Sequence, residues 1–171
     1  VQLEKAIQYA NSSILSKTLI DPSLKGMGTT VSMVTLARHM AFWGHVGDSR
    51  IYLYRDGEFK QISVDHTIVQ VLLEKGKITE EEAMDHPQRH VLTRAVGVDE
   101  NLVVDSGAFE VQPKDRILIC SDGLTSFIQK QELYDAIGDY RRTEREIIND
   151  LFARVYENGA KDNITAILTT I

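Results

Sequence analysis

Residues 40–63, MAFWGHVGDSRIYLYRDGEFKQIS, decide the fold. Met40 to Val46 reads as a strand, and Gly47-Asp48-Ser49 as a sharp turn. From Arg50 to Tyr54, Ile51 and Leu53 alternate with Tyr52 and Tyr54, the period of a strand with two distinct faces. Asp56-Gly57 fits a two-residue type I′ hairpin, and Glu58 to Ser63 returns from it.

Upstream, Thr29 to Ala37 is a further strand, rich in β-branched and apolar residues. Before it, Leu3, Ala6, Ile7, Ala10 and Ile14 repeat with helical spacing, and Asp21-Pro22 stops that helix. Downstream the period changes. Thr67 to Glu74 and Thr79 to Met84 read as short helices, the second opened by a Thr79/Glu82 capping box and closed by His86-Pro87. Residues 90–96 are ambiguous. Leu102 to Val111 and Asp115 to Cys120 are strands, Gln129 to Ile137 and Thr143 to Tyr156 helices, and Asn163 to Ile171 a last strand. Hairpin-linked strands with helices segregated around them predict an α+β fold and a single domain over 1–171.

The 171 residues carry a formal net charge of −6 and no Lys/Arg cluster, which argues against nucleic acid as a partner. No apolar run approaches the ~20 residues that span a bilayer, so no membrane role is expected. The one cysteine, Cys120, lies in the apolar run Ile117-Leu118-Ile119-Cys120. It allows no internal disulfide, fits a reducing cytoplasm and reads as a small core hydrophobe. The five histidines lack zinc-site spacing. There is no G-x-S-x-G elbow and no phosphate-binding Walker loop.

Three acids share one context. Asp48 follows His45-Val46-Gly47, Asp122 follows Leu118-Ile119-Cys120-Ser121, and Asp162 directly precedes the last strand. Carboxylates that converge repel one another unless a cation stands between them, and hard divalent ions prefer such oxygens. Asp beside Gly is also ordinary turn chemistry. On spacing alone, both readings stand.

Seven strings, taken in order, resemble the type 2C (PPM) metal-dependent Ser/Thr protein phosphatases, the bacterial members above all. They are Gly26-Met27-Gly28-Thr29-Thr30, Gly47-Asp48-Ser49-Arg50, Asp65-His66-Thr67, His86-Pro87-Gln88-Arg89, Leu92-Thr93-Arg94-Ala95, Ser121-Asp122-Gly123-Leu124 and Asp162-Asn163-Ile164-Thr165. The resemblance implies an antiparallel β-sandwich flanked by helices, with two metal ions at one end. It makes Asp122 and Asp162 metal ligands, and Asp48 the ligand of a third ion. Asn163 would orient Asp162. Residues 67–94 would form a small helical flap, with His90 at its end as a contact to the third ion or as a structural residue. Arg50 and Arg94 would be salt-bridge partners. Mn²⁺ or Mg²⁺ would activate water for attack on phosphoserine or phosphothreonine in protein substrates, opposing a cognate Ser/Thr kinase.

The family's R-x-x-N-x-D and D-G-x-G-G-H strings do not occur in this sequence. The expectation is an N-terminally incomplete domain with about half the metal shell, inactive or weakly active by itself. The competing expectation is a phosphatase-like binding or regulatory module without catalysis.

Overall fold

The computed structural model describes residues 2–160 and 162–171. Its fold is α+β, with two antiparallel sheets and helices. Contacts divide the chain into two compact units. One takes in the chain up to Asp48 together with Val64–Phe109, and the other Ser49–Ser63 with Glu110–Ile171.

The first unit opens with α1 (Gln2–Ile20), followed by β1 (Val31–Ala37) and β2 (Met40–Val46). The short helices α2 (Ile68–Glu74) and α3 (Glu80–Met84) come next, then β5 (Asp105–Glu110). Its sheet has the order β1-β2-β5, with β1 and β2 paired from Val31↔Val46 to Ala37↔Met40. Helix α1 lies close over β2, because Gly44 offers no side chain: a Cβ there would stand 3.1 Å from Ile7 Cδ1. The apolar stripe of α1 thus joins Val46, Val96, Leu102 and Val104 in one cluster through Ile7, with Ala10 and Ile14 packed on it. Buried Asn11 fastens the helix further on: its Nδ2 donates to Asp99 O at 2.7 Å, and its Oδ1 accepts from Gly97 N–H at 2.6 Å.

The second unit holds β3 (Arg50–Arg55), β4 (Glu58–Gln61), β6 (Arg116–Cys120) and β7 (Ala166–Thr170), in the order β4-β3-β6-β7. Helices α4 (Asp122–Thr125), α5 (Lys130–Ile137) and α6 (Glu144–Glu157) complete it. The β3–β4 turn is the expected hairpin, with Asp56 and Gly57 both at positive φ, 49° and 83°. Tyr52, Leu118 and Cys120 share a core with Leu124, Leu133, Ile137, Ile147, Leu151 and Val155, so α5 and α6 cover one face of this sheet. Capping boxes start both helices, Gln129 with Glu132 and Thr143 with Glu146. The expected Thr79/Glu82 box is present at α3.

Several edges move. The strand expected from Leu102 begins at Asp105, and the last strand begins at Ala166 instead of Asn163. Helix α4 was not expected at all: four residues that include a glycine carry no readable period. Residues 90–96 contribute only the isolated pairs Thr67↔Leu92 and Thr29↔Val96. Among the described residues, no helix is long and apolar enough to cross a membrane.

Arg116 is 3% exposed, and the surrounding backbone accommodates its charge. Its guanidinium donates to Ile137 O at 2.7 Å, Asp139 O at 3.1 Å, Arg142 O at 3.2 Å and Thr170 Oγ1 at 3.1 Å, and lies 4.3 Å from the Tyr140 ring centre. Ile137 is the last residue of α5, so the cation also meets the negative end of that helix. Arg116→Leu would strand these carbonyls, that of Ile137 fully buried. It is expected to lower the unfolding free energy by ~3 kcal/mol in urea titration. Arg116→Lys should recover only part, since an ammonium cannot fork across several carbonyls.

Candidate metal centre

β6 and β7 run antiparallel with Cys120 opposite Ala166, so the chain leaves β6 where it enters β7. Pairing continues past the strands. Ser121 N–H donates to Thr165 O at 2.9 Å, and Thr165 N–H donates to Ser121 Oγ at 3.1 Å. One residue further, Gly123 touches the opposite backbone: a Cβ there would lie 2.2 Å from Asn163 O. Asp122 precedes Gly123 and Asp162 precedes Asn163. The two carboxylates therefore flank one point of backbone contact.

Asp122 is half-buried and Asp162 exposed. Oδ1 of Asp162 accepts the backbone N–H of Asn163 at 2.7 Å, so that neighbour's amide sets the carboxylate's direction. Two carboxylates held at one strand end suit a hard divalent cation, whose preferred donors are oxygens. Among the described residues, no three His, Cys, Asp or Glu side chains gather into a set that could hold a metal ion.

Asp48 belongs to the first unit, half-buried just after β2. Its place is set by Gly47, at φ 114°, where a Cβ would stand 2.4 Å from Thr30 Cγ2. His66, 2% exposed, grips the same residue twice. Gly47 N–H donates to His66 Nδ1 at 3.1 Å, and His66 N–H donates to Gly47 O at 2.8 Å. Since Nδ1 accepts, the ring proton is on Nε2, which meets Asp105 Oδ2 at 3.0 Å. The other Asp105 oxygen takes Arg94 Nη1 at 2.6 Å, so Arg94 is a salt-bridge partner.

His45, wholly buried, stands beside this network with its ring centre 4.8 Å from that of His66. Its Nε2 faces Val64 O at 3.1 Å and must carry the proton, leaving Nδ1 to accept from Ser32 Oγ at 2.9 Å. Burial, then the neighbouring His66, pushes its pKa down to about 4. Burial likewise lowers that of His66, against the opposing hydrogen bond to Asp105. His90 is exposed, one residue before Val91, whose carbonyl accepts from Ile68 N–H at 2.9 Å.

The sequence reading assigned no role to His66 or Asp105. The string Asp65-His66-Thr67 marked the place, but a partner 39 residues away leaves no local trace.

A family model described as protein phosphatase 2C matches residues 2–169. The serine/threonine phosphatase stp of Listeria monocytogenes is 36% identical over 166 residues, 97% of this chain and 66% of that protein. The chain therefore spans slightly less than two thirds of that relative. Among solved structures, Stp1 from Staphylococcus aureus superposes with a TM-score of 0.94 at 31% identity, covering 99% of this chain and 66% of that one. The catalytic domain of the phosphatase PstP in complex with two manganese ions gives 0.86 at 34% identity, covering 97% and 68%.

Two outcomes are expected here. Gly123→Ala should destabilise the fold by about 1–3 kcal/mol, read from urea unfolding, because backbone stands where the methyl must go. Stability should also fall with acid in a defined window. Folded His45 stays neutral down to about 4, while the unfolded chain takes up its proton near 6.5. Its contribution is therefore complete above pH 6.5 and is lost as pH falls toward 4, at up to ~1.4 kcal/mol per pH unit. His45→Gln should flatten the dependence of the urea midpoint on pH across that window, and an unchanged slope would place its origin elsewhere.

Proposed function

The chain belongs to the protein phosphatase 2C family, and on that premise we propose that the protein containing it hydrolyses phosphoserine and phosphothreonine in proteins, using divalent cations held in part by Asp122 and Asp162. The observation that carries this reading is the contact of Gly123 with the Asn163 backbone, which keeps both acids at one strand end. Mn²⁺ or Mg²⁺ is the proposed metal, given the oxygen donors and a relative solved with two manganese ions.

A bound divalent cation would supply a water acidic enough to serve as nucleophile, and positive charge for the phosphoryl oxygens. The chain's own residues do the holding. The Asn163 amide occupies Oδ1 of Asp162 and leaves Oδ2 for other work. Ser121, tied to Thr165 through its hydroxyl and its N–H, fixes the backbone from which Asp122 projects. Cys120, just before it, is 2% exposed in the core and takes no part as a nucleophile. A phosphorylated substrate approaches a chain of net charge −6, so cations must reverse the local sign before a phosphate can settle.

Asp48 is proposed as the ligand of an additional cation, and residues 67–94, with α2 and α3, as the flap that shapes substrate choice. Because one family match runs through both units, we read them as parts of a single phosphatase domain. A Ser/Thr kinase acting on the same proteins is the proposed counterpart, and the reducing cytoplasm the proposed compartment.

One observation favours a second reading, a phosphatase-like module that binds without catalysis: among the described residues, no complete three-ligand set is found. Turnover decides. The full-length protein should hydrolyse a phosphothreonine peptide only when Mn²⁺ is supplied. Asp122→Asn should cut kcat by about 100-fold or more, in keeping with the several kcal/mol such an ion contributes. Asp48→Asn should retain turnover but require more Mn²⁺. Wild-type protein that binds the peptide without cleaving it would establish the second reading, and full activity in Asp122→Asn would remove Asp122 from the site.

A further inference from the structure

We infer that His66 is a positioning residue, which sets the Gly47-Asp48 turn and through it the direction of the Asp48 carboxylate. The inference rests on the reading of Asp48 as a cation ligand.

Gly47 is held from two sides: Thr30 stands where its Cβ would be, and His66 takes its backbone. Gly47 has no side chain, and its φ of 114° lies where glycine moves freely and other residues rarely go. Rotation at Gly47 would swing Asp48 directly. Both polar backbone atoms of Gly47 are taken by His66, one by the ring and one by the main chain. The ring cannot turn, because Nε2 is engaged by Asp105. Asp105 is held in its turn by Arg94, which also donates to Val103 O at 3.3 Å. The main chain of His66 is fixed as well, its carbonyl accepting Thr93 N–H at 2.8 Å. Arg94, Asp105, His66 and Gly47 thus form one line of contacts ending at the residue before Asp48. It lies within one compact unit, and its ring is closed off from water.

A merely structural histidine and a positioning one differ in what their loss changes. Structural loss lowers the fraction of folded protein and leaves metal affinity alone. Positioning loss weakens the ion while the fold survives. The test uses the full-length protein, calorimetric Mn²⁺ titration, and turnover of a phosphothreonine peptide over a Mn²⁺ series. His66→Ala should raise the Mn²⁺ concentration for half-maximal turnover by about 10-fold or more, the range for residues that orient a ligand. Calorimetry should show the same weakening of one class of site, with peptide KM unchanged and kcat recovering at high Mn²⁺.

Two conservative variants sharpen the result. His66→Asn places an oxygen near the Nδ1 position, can accept Gly47 N–H, and should restore most of the affinity. His66→Gln reaches toward Asp105 instead and should not. Equal behaviour of the two, or unshifted Mn²⁺ dependence in a folded His66→Ala, would overturn the inference.

Asp48→Asn separates the two levels. If it leaves Mn²⁺ affinity as in wild type, the reading of Asp48 fails and the inference with it. If it weakens the ion while the His66 variants do not, positioning alone fails. Should every His66 variant unfold, the wild-type protein still decides. Its His66 ¹⁵N shifts must show the proton on Nε2, and the Gly47 amide must be strongly protected from exchange. A proton on Nδ1, or a fast-exchanging Gly47 amide, would sink the proposal.

Discussion

The backbone of Gly123 lies against the backbone of Asn163, closer than any side chain would permit. Most of what is proposed for the second unit depends on that approach. β6 and β7 are paired up to Cys120↔Ala166, and an ordinary sheet would let the chains part there. Instead, Ser121 carries the pairing on through two hydrogen bonds to Thr165, and Gly123 closes the gap beyond it. Separate loops leaving a sheet end would spread their carboxylates toward solvent. A shared backbone contact keeps two of them together without any attraction between the acids themselves. The cost of holding like charges near each other is borne by the packed sheet, in which Ile51 of β3 and Leu118 of β6 are fully buried.

The second unit treats its other charges differently. Arg116 has its guanidinium spent on carbonyls and a hydroxyl, and Asp115, 1% exposed, accepts two bonds from Arg55 and one from Gln112 N–H. Those groups are saturated by protein atoms and have little left to offer a ligand. Asp162 is exposed, with one oxygen given to a neighbouring amide. Saturation separates charges that hold the fold from charges able to bind something else. It is a better guide here than acidity, because Asp115 and Asp162 look equally plausible when read as letters beside a strand.

Much of the fold was legible because its signals are local. Asp56-Gly57 dictates positive φ at two adjacent positions, and the hairpin follows. Thr79 and Glu82 satisfy each other across three residues, and α3 starts there. The alternation of Ile51 and Leu53 with the tyrosines fixed a strand and its faces. The site was legible in a different way. Asp48, Asp122 and Asp162 were picked out by position after or before strands and by resemblance, while the reason for Gly123, a backbone 40 residues away, could not be read from its neighbours. Helix α4 was missed because a single turn is too short for an apolar position to repeat. The Asp105 contact of His66 was missed because nothing near residue 66 announces it.

The histidines show why such contacts matter more than motif membership. Placed in water, His45 and His66 would titrate near neutral pH and could serve as acid, base or ligand. In the first unit both are enclosed, and burial favours the neutral ring. Each has its tautomer chosen by its partners: His45 by the carbonyl of Val64, His66 by the amide of Gly47. A ring with both nitrogens committed has no lone pair for a cation and no proton to lend. What it can still do is hold, and what His66 holds is the backbone of Gly47. The same chemistry that withdraws these rings from catalysis qualifies one of them to aim the carboxylate next door.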